Sequence, residues 1–414
     1  MITFRTTSLY VALAAAAAGQ TPGTLDPSFG TGGLSLLPQA GQIWDVAVQA
    51  DDKVVAAGHD TGGGFVVRLD ADGNLDPTFG IGGRVELFLG HCYDVAVDGS
   101  GNILVAGSAP HGPHSDFAVA RLTPAGLLDP GFGASGSVVV HMSTANKGGS
   151  EAKALQLQAD GKILLAGHVM KKNSGSDTDY GIARLLANGS LDPTFGSGGV
   201  VRHDVGTADN VWPRAMAIQP DGRIVLGGAP VFSAISGWTL TRYLASGAVD
   251  TSFGSGGAFT PTFAGLTSVR LAEVAVQPDG RILAAGRCQT GGNSFDMIVT
   301  RHLANGSLDT SFSGDGIALT GLPDEDQGNG LVLQPDGKIV VIGTWYPPGS
   351  PVQMMAFRFL GDGTPDASFG TGGRSDGAIF GGMNSAGRAI ARDGIGRLVA
   401  ATYTHFGLAR LWGN

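Results

Sequence analysis

Three carboxylates, Asp45, Asp94 and Glu273, stand at the starts of short apolar runs that recur along the chain. Trp44 precedes the first and Tyr93 the second, while Lys153, Arg214, Asn329 and Arg388 hold the matching places in other runs. Grouped carboxylates are what metal-held water or glycoside chemistry would need. Aromatic rings beside carboxylates and guanidinium groups suit a polar ligand such as a sugar or a peptide. Trp44, Asp45, Tyr93, Asp94, Lys153, Arg214, Glu273 and Arg388 are therefore the candidate ligand-binding residues. Alanine changes at Trp44, Asp45, Asp94, Arg214 and Arg388 are expected to spare folding and reduce binding.

Other motifs carry less. His111-Gly-Pro-His114-Ser-Asp116 puts two imidazoles and a carboxylate on one stretch, but closed zinc sites usually have four ligands, and a solvated loop is expected. Asp324-Glu325-Asp326 reads as a solvated acidic tip. Asp70-Ala-Asp72-Gly-Asn74 imitates a calcium loop. Its counterparts, Thr123-Pro-Ala-Gly126 and Leu186-Ala-Asn-Gly189, keep the glycine and lose the acids, so a hairpin turn is expected. The FG-x-GG segments lie between strands, with no helix N-terminus to aim at a phosphate. There is no G-x-S-x-G elbow. No catalytic residue, metal site or cofactor is assigned.

Repetition positions these residues. A six-residue motif occurs seven times, from LDPSFG at 25 to PDASFG at 365, with its phenylalanines at 29, 79, 132, 195, 253, 312 and 369. Each repeat holds four strand candidates: one like VAVQ (46–49), an Asp-Gly turn, one like KVVAAG (53–58), a variable loop, one like FVVRL (65–69), the motif, and one like GRVELF (83–88). A period of about 50–60 residues with this content suits one propeller blade per repeat. The middle strands are nearly continuous in apolar residues, as sheets covered on both faces require. The expected fold is an all-β, seven-bladed propeller of four antiparallel strands per blade, in one domain over residues 19–414, with the innermost strands beginning near 45, 94, 154, 215, 273, 330 and 388.

The 69 glycines, 15% charged and 43% hydrophobic residues describe a folding chain rich in tight turns. The net charge of −9 and the lack of a basic run disfavour nucleic acid as a partner. Residues 1–18 read as a signal peptide: Arg5, an apolar stretch from Leu9 to Ala18, and Ala16-Ala17-Ala18 as a cleavage site. A secreted, periplasmic or cell-surface location is expected, with no membrane span and a monomeric state. Cys92 and Cys288 fall in different repeats and imply no disulfide framework.

The LDPxFG motif, the preceding RL strand and the QPDGK/R turn resemble the bacterial delta-60 repeat family over about residues 24–411. The resemblance implies a β-propeller of largely unknown function. The strand order is similar to the NHL-type repeat, which implies that the VAVQ-like strand is innermost.

The seven repeats can be compared with one another. A third-strand arginine precedes the motif aspartate by eight residues in six repeats: Arg68/Asp76, Arg121/Asp129, Arg184/Asp192, Arg242/Asp250, Arg301/Asp309 and Arg358/Asp366. These are expected to be structural ion pairs. Arg410 has no following aspartate and Asp26 no preceding arginine. If the strand at Leu34–Leu37 completes the last blade, the two should meet, and closure would remove two exposed sheet edges. Function is expected in the variable loops, which hold among others His59, His91, Lys147, His168, Lys171, Asp209, Trp212, Trp238, Arg270 and Trp345. The leading expectation is a non-enzymatic scaffold for a protein or glycan. The alternative is a hydrolase, lactonase or lyase with its site at the channel mouth.

Overall fold

The computed structural model describes residues 20–38, 41–112, 114–142, 149–170, 178–204, 211–230, 237–291, 294–375, 383–403 and 406–414. Residues 1–18, expected to be a signal peptide, and Lys147, Lys171 and Asp209 lie outside them. Seven antiparallel sheets form a seven-bladed propeller, and no helix occurs among the described residues. Six sheets have four strands. Blade six shows three (Glu325–Leu333, Ile339–Tyr346, Gln353–Phe359) plus a single bridge from Phe357 to Arg374.

The alternation of strand residues explains the core. In the second strand of blade one, Val54 and Ala56 face blade seven, packing with Ala389, Val399 and Leu408. Val55 and Ala57 face blade two, packing with Val95, Ile103 and Ala118. One such cluster fills each blade-to-blade interface, so both faces of the middle strands are apolar. Trp238, expected on a variable loop, is fully buried in the cluster between blades four and five.

The innermost strands start earlier than the sequence suggests, at Gln42, His91, Ser150, Val211, Leu266, Glu325 and Gly387. Each contains a β-bulge, which breaks the alternation that marks a strand in sequence and hides its first residues. The FG-x-GG segments are turns: Gly80, Gly82 and Gly83 sit at φ of 55°, 61° and 90°, where a side chain is strained. In the Asp70 turn, one carboxylate oxygen accepts the Asp72 and Asn74 N–H groups, so the turn uses the acid internally.

The repeated arginine clamps each blade to its successor. In blade one, Arg68 Nε donates to Asp76 Oδ2 at 2.9 Å, and its other nitrogens donate to the Thr78 hydroxyl and to the Pro124 carbonyl of blade two. The guanidinium lies 4.6 Å from the centre of the Phe79 ring. Asp76 accepts the Thr78 N–H and hydroxyl on its other oxygen. The Lys53 ammonium, from the Asp-Gly turn, stands 3.4 Å from the same carboxylate. Arg223 and Arg281 make the corresponding contacts to Asp250 and Asp309, which is why that turn so often ends in Lys or Arg. The Thr78 bonds and the nearby cations outweigh burial and hold Asp76 down at about 2.

The same clamp joins the two ends of the chain. The strand Leu34–Leu36 pairs antiparallel with Gly407–Leu411, Leu34 opposite Ala409. Arg410 Nε lies 2.7 Å from Asp26 Oδ2, both buried, with Phe29 beneath the guanidinium at 4.7 Å. Arg410 also donates to the Ala71 carbonyl of blade one. The blade-two pair is more exposed, with Gly131 in place of the hydroxyl residue and the Arg121 and Asp129 side chains 15% and 20% exposed. Arg410→Ala should therefore cost about 3 kcal/mol, the low end for breaking a buried pair because Arg397 stands 3.6 Å from Asp26. Arg121→Ala should cost only about 1 kcal/mol. Urea denaturation of the two variants tests this, and equal losses would refute a clamp whose strength depends on burial.

Candidate functional site

The bulges build the site. In the seven innermost strands the extra residue is Trp44, Tyr93, Lys153, Arg214, Ala272, Asn329 or Arg388. A bulge re-aims a side chain out of the sheet's alternation. All seven residues line one cavity of about 430 Å³ at the channel, together with Asp45, Asp94 and Glu273. A glycine lies opposite the bulge because its backbone comes close: a Cβ on Gly58 would meet the Gln42 carbonyl oxygen at 1.9 Å, and one on Gly107 the His91 oxygen at 1.8 Å. This accounts for the glycine that ends the KVVAAG-type strands. In blade seven the position is Thr402.

Three zones surround the cavity. The aromatic arc runs from blade seven through blade one to blade four. Trp44 meets Tyr93 and Tyr403 edge-on at 5.1 and 5.5 Å, and His59 and His91 pack 4.4 Å apart behind it. Trp212 stacks on His168 at 4.6 Å. Burial pushes His59 and His168 down to about 4, so both are neutral near pH 7. The indole N–H groups of Trp44 and Trp212 and Nδ1 of both histidines have no partner among the described residues.

The acidic floor is Asp45, Asp94 and Glu273. Asp45 accepts the Val95 N–H of blade two at 3.0 Å, and Asp94 accepts the Leu155 N–H of blade three at 2.6 Å. The two carboxyls also hydrogen-bond each other. Burial raises both, and the charge of Asp45 raises Asp94 further. Burial pushes Glu273 up to about 8. The two aspartates thus tie blades together as well as facing the cavity, which revises the expectation that their removal would spare folding.

The cationic arc is Lys153, Arg214, Arg270, Arg287 and Arg388. Lys153 pairs with Glu151 at 2.6 Å and lies 3.3 Å from the centre of the Tyr93 ring. Burial brings it down to about 8. Arg388 stacks on Trp44 at 4.4 Å, in the field of Glu273 and Asp45. Arg270 sits across the strand pair from Arg287, whose guanidinium donates to Gln327. Arg214 has three other arginines near it, and burial plus those like charges bring it down to about 10. Among the described residues these four arginines have no ion-pair partner. The sequence reading missed Glu151, Arg287 and Tyr403. The first stands two residues before Lys153, so period-2 spacing could have found it.

Two other motifs differ from expectation. Asp326 is not a solvated tip: it is buried, accepts the Met297 N–H at 2.7 Å and the Thr320 hydroxyl at 2.8 Å, and is pushed up to about 7 by burial. His111 and Asp116 come together with His141 rather than with His114. Cys92 and Cys288 are buried and unpaired, with their thiols raised by burial.

A channel cavity fed by one residue from each blade defines a propeller with an axial site. The domain of unknown function (DUF5122) beta-propeller family matches residues 49–79, 99–132, 158–195, 219–253, 277–312 and 334–369, about half of the chain. The chain belongs to that family. No curated protein matches it. Solved structures with the same fold include virginiamycin B lyase from Staphylococcus aureus, in a catalytically inactive form with quinupristin, at 11% identity and TM-score 0.55, over 92% of this chain and 98% of that one. Another is polysaccharide lyase Uly1, at 14% identity and TM-score 0.51, over 97% and 94%.

Glu273 supplies a test of the floor. Folded, it keeps its proton to about pH 8, whereas its ordinary value is 4.5. Between these values the unfolded chain binds fewer protons than the folded one, so stability falls as pH rises through the window. Glu273→Gln should remove that fall: its melting temperature relative to wild type should be higher at pH 9 than at pH 4.5. A pH-independent difference would mean that Glu273 titrates normally.

Proposed function

We propose that this propeller is a binding protein, acting outside the cytoplasm, whose channel mouth takes an acidic glycan. The observation that carries this reading is Arg214, which is largely buried among Arg270, Arg287 and Arg388 with no carboxylate paired to it. Confining like charges is unfavourable, and a ligand carboxylate or sulfate is the group that would offset it, with the forked geometry guanidinium prefers. Glu273, pushed up to about 8, and the upward shift of Asp45 and Asp94 lower the tendency of the floor to repel such a ligand. Trp44, Tyr93 and Trp212 offer rings for sugar faces, and two of them offer unpaired N–H donors. The apolar leader supports export.

The floor also favours a second reading, a lyase or hydrolase. Proton-holding carboxyls in a cleft are the usual equipment of acid–base catalysis. A polysaccharide lyase of the same fold keeps that reading in view, at an identity that speaks for the fold alone.

Calorimetric titration with an oligouronate and with a neutral oligosaccharide of equal length separates these readings. The acidic glycan should bind, weaken with added salt, and lose at least tenfold in affinity in Arg214→Ala and Arg388→Ala variants that melt like wild type. Equal binding of the neutral sugar, or retained binding by both variants, would overturn the acidic-glycan reading. Shortened or unsaturated products, absent with Asp94→Asn, would move the assignment from binding to catalysis.

A further inference from the structure

Away from the channel, blade two brings three metal-ligating groups to one point. Asp116 lies near the start of the third strand (His114–Leu122), opposite Ala109. His111 ends the second strand (Ile103–His111), and His141 follows the fourth (Ser137–Val140). Both imidazoles turn the same atom toward the same oxygen: Nδ1 of His111 is 2.8 Å and Nδ1 of His141 is 2.7 Å from Asp116 Oδ2. The rings are 4.8 Å apart. The carboxylate is held from behind, since the Ser150 hydroxyl donates to Asp116 Oδ1 at 3.3 Å.

We propose that His111, Asp116 and His141 form a binding site for Zn²⁺ or a similar imidazole-seeking divalent ion. The donor set, two nitrogens and one carboxylate oxygen, suits Zn²⁺, Cu²⁺ or Ni²⁺ and not the oxygen-seeking Ca²⁺ or Mg²⁺. The reach is correct. A tetrahedral zinc ion with bonds near 2 Å needs ligand atoms about 3.3 Å apart, so each imidazole must back away by about half an ångström. They have room, because the side chains of His111 and His141 are 49% and 60% exposed while that of Asp116 is 4% exposed. One ligand is therefore fixed and two adjust onto it. The Ser150 hydroxyl plays the outer-shell part that orients a ligating carboxylate. Three protein ligands leave a fourth position open to solvent, so the ion would be exchangeable and able to take a further donor.

Internal comparison separates this cluster from a generic blade feature. The position of Asp116 is filled by Asp179 in blade three and by Asp296 in blade five, as their strand partners show. Asp296 accepts the Thr290 hydroxyl. An acid at this place is thus common to several blades, whereas two histidines converging on it occur in blade two alone among the described residues. The site was not legible from spacing, because His141 is 25 residues from Asp116 and the nearer His114, directly across the hairpin from His111, is not one of the converging groups.

The test is calorimetric titration of tag-free full-length protein with zinc chloride, repeated with excess calcium. Saturable binding of one equivalent, undisturbed by calcium, is expected. His111→Ala and His141→Ala should each weaken it at least tenfold, and Asp116→Asn likewise. His114→Ala should leave it unchanged. The exposed histidine variants should melt like wild type, which keeps loss of binding distinct from loss of fold. No saturable binding by wild type would overturn the proposal. So would one-equivalent binding retained by a His111→Ala/His141→Ala double variant, which would place the ion elsewhere, for instance at the His59–His91 pair.

Discussion

The ring depends on one guanidinium per blade. Each clamp arginine directs its donors three ways: one to the aspartate of its own motif, one to a carbonyl of the next blade, and in six blades one to a serine or threonine hydroxyl, with its flat face on the motif phenylalanine. Burying such an ion is costly unless every donor is used. Here the use of the donors sets geometry, because the carbonyl contact fixes how far each blade is turned from its neighbour. A ring of seven closes only if that turn is repeated accurately. At the two seams the repeating turn is interrupted by the chain ends, yet the contact survives: Gly413 offers the carbonyl to Arg358, and Arg410 reaches Ala71.

With one face committed to the clamp, the other is free to vary. The bulges exploit that freedom. Each costs a regular ladder position and obliges a close backbone approach on the second strand, which the glycines at 58, 107, 167, 286 and 343 accommodate. In return, every blade delivers one side chain to the axis without altering the strands that carry the core. None of these side chains belongs to the apolar clusters between blades. The positions therefore hold Trp, Tyr, Lys, Arg, Ala, Asn and Arg in turn.

This division decides what could be read in advance. The repeat, the blade count, the pairing of Arg410 with Asp26 and the channel-lining positions from Trp44 to Arg388 were legible, because a motif copied seven times shows what the blade itself needs and what it leaves open. The reach of each clamp into the next blade was not legible, since a carbonyl oxygen has no sequence signature. Neither were the true starts of the innermost strands, where the bulge breaks the period of two. Asp326 was misread for a related reason: three acids in a row look solvated, yet in the strand Glu325–Leu333 the third of them turns inward to bond the Met297 N–H.

The chain also contains its own control for the channel. Seven clamp arginines each have an aspartate within 2.9 Å. This fold therefore pairs buried guanidinium groups closely wherever their task is structural. The arginines at the mouth are treated differently: Arg214, Arg270, Arg287 and Arg388 gather on one arc of a protein whose net charge is −9, while Glu273 is pushed up to about 8 and Asp45 and Asp94 accept backbone N–H groups. A channel serving only to hold blades together has no need of that imbalance. Positive charge held without a partner, beside rings with unpaired donors, is what supports the proposal of an anionic ligand.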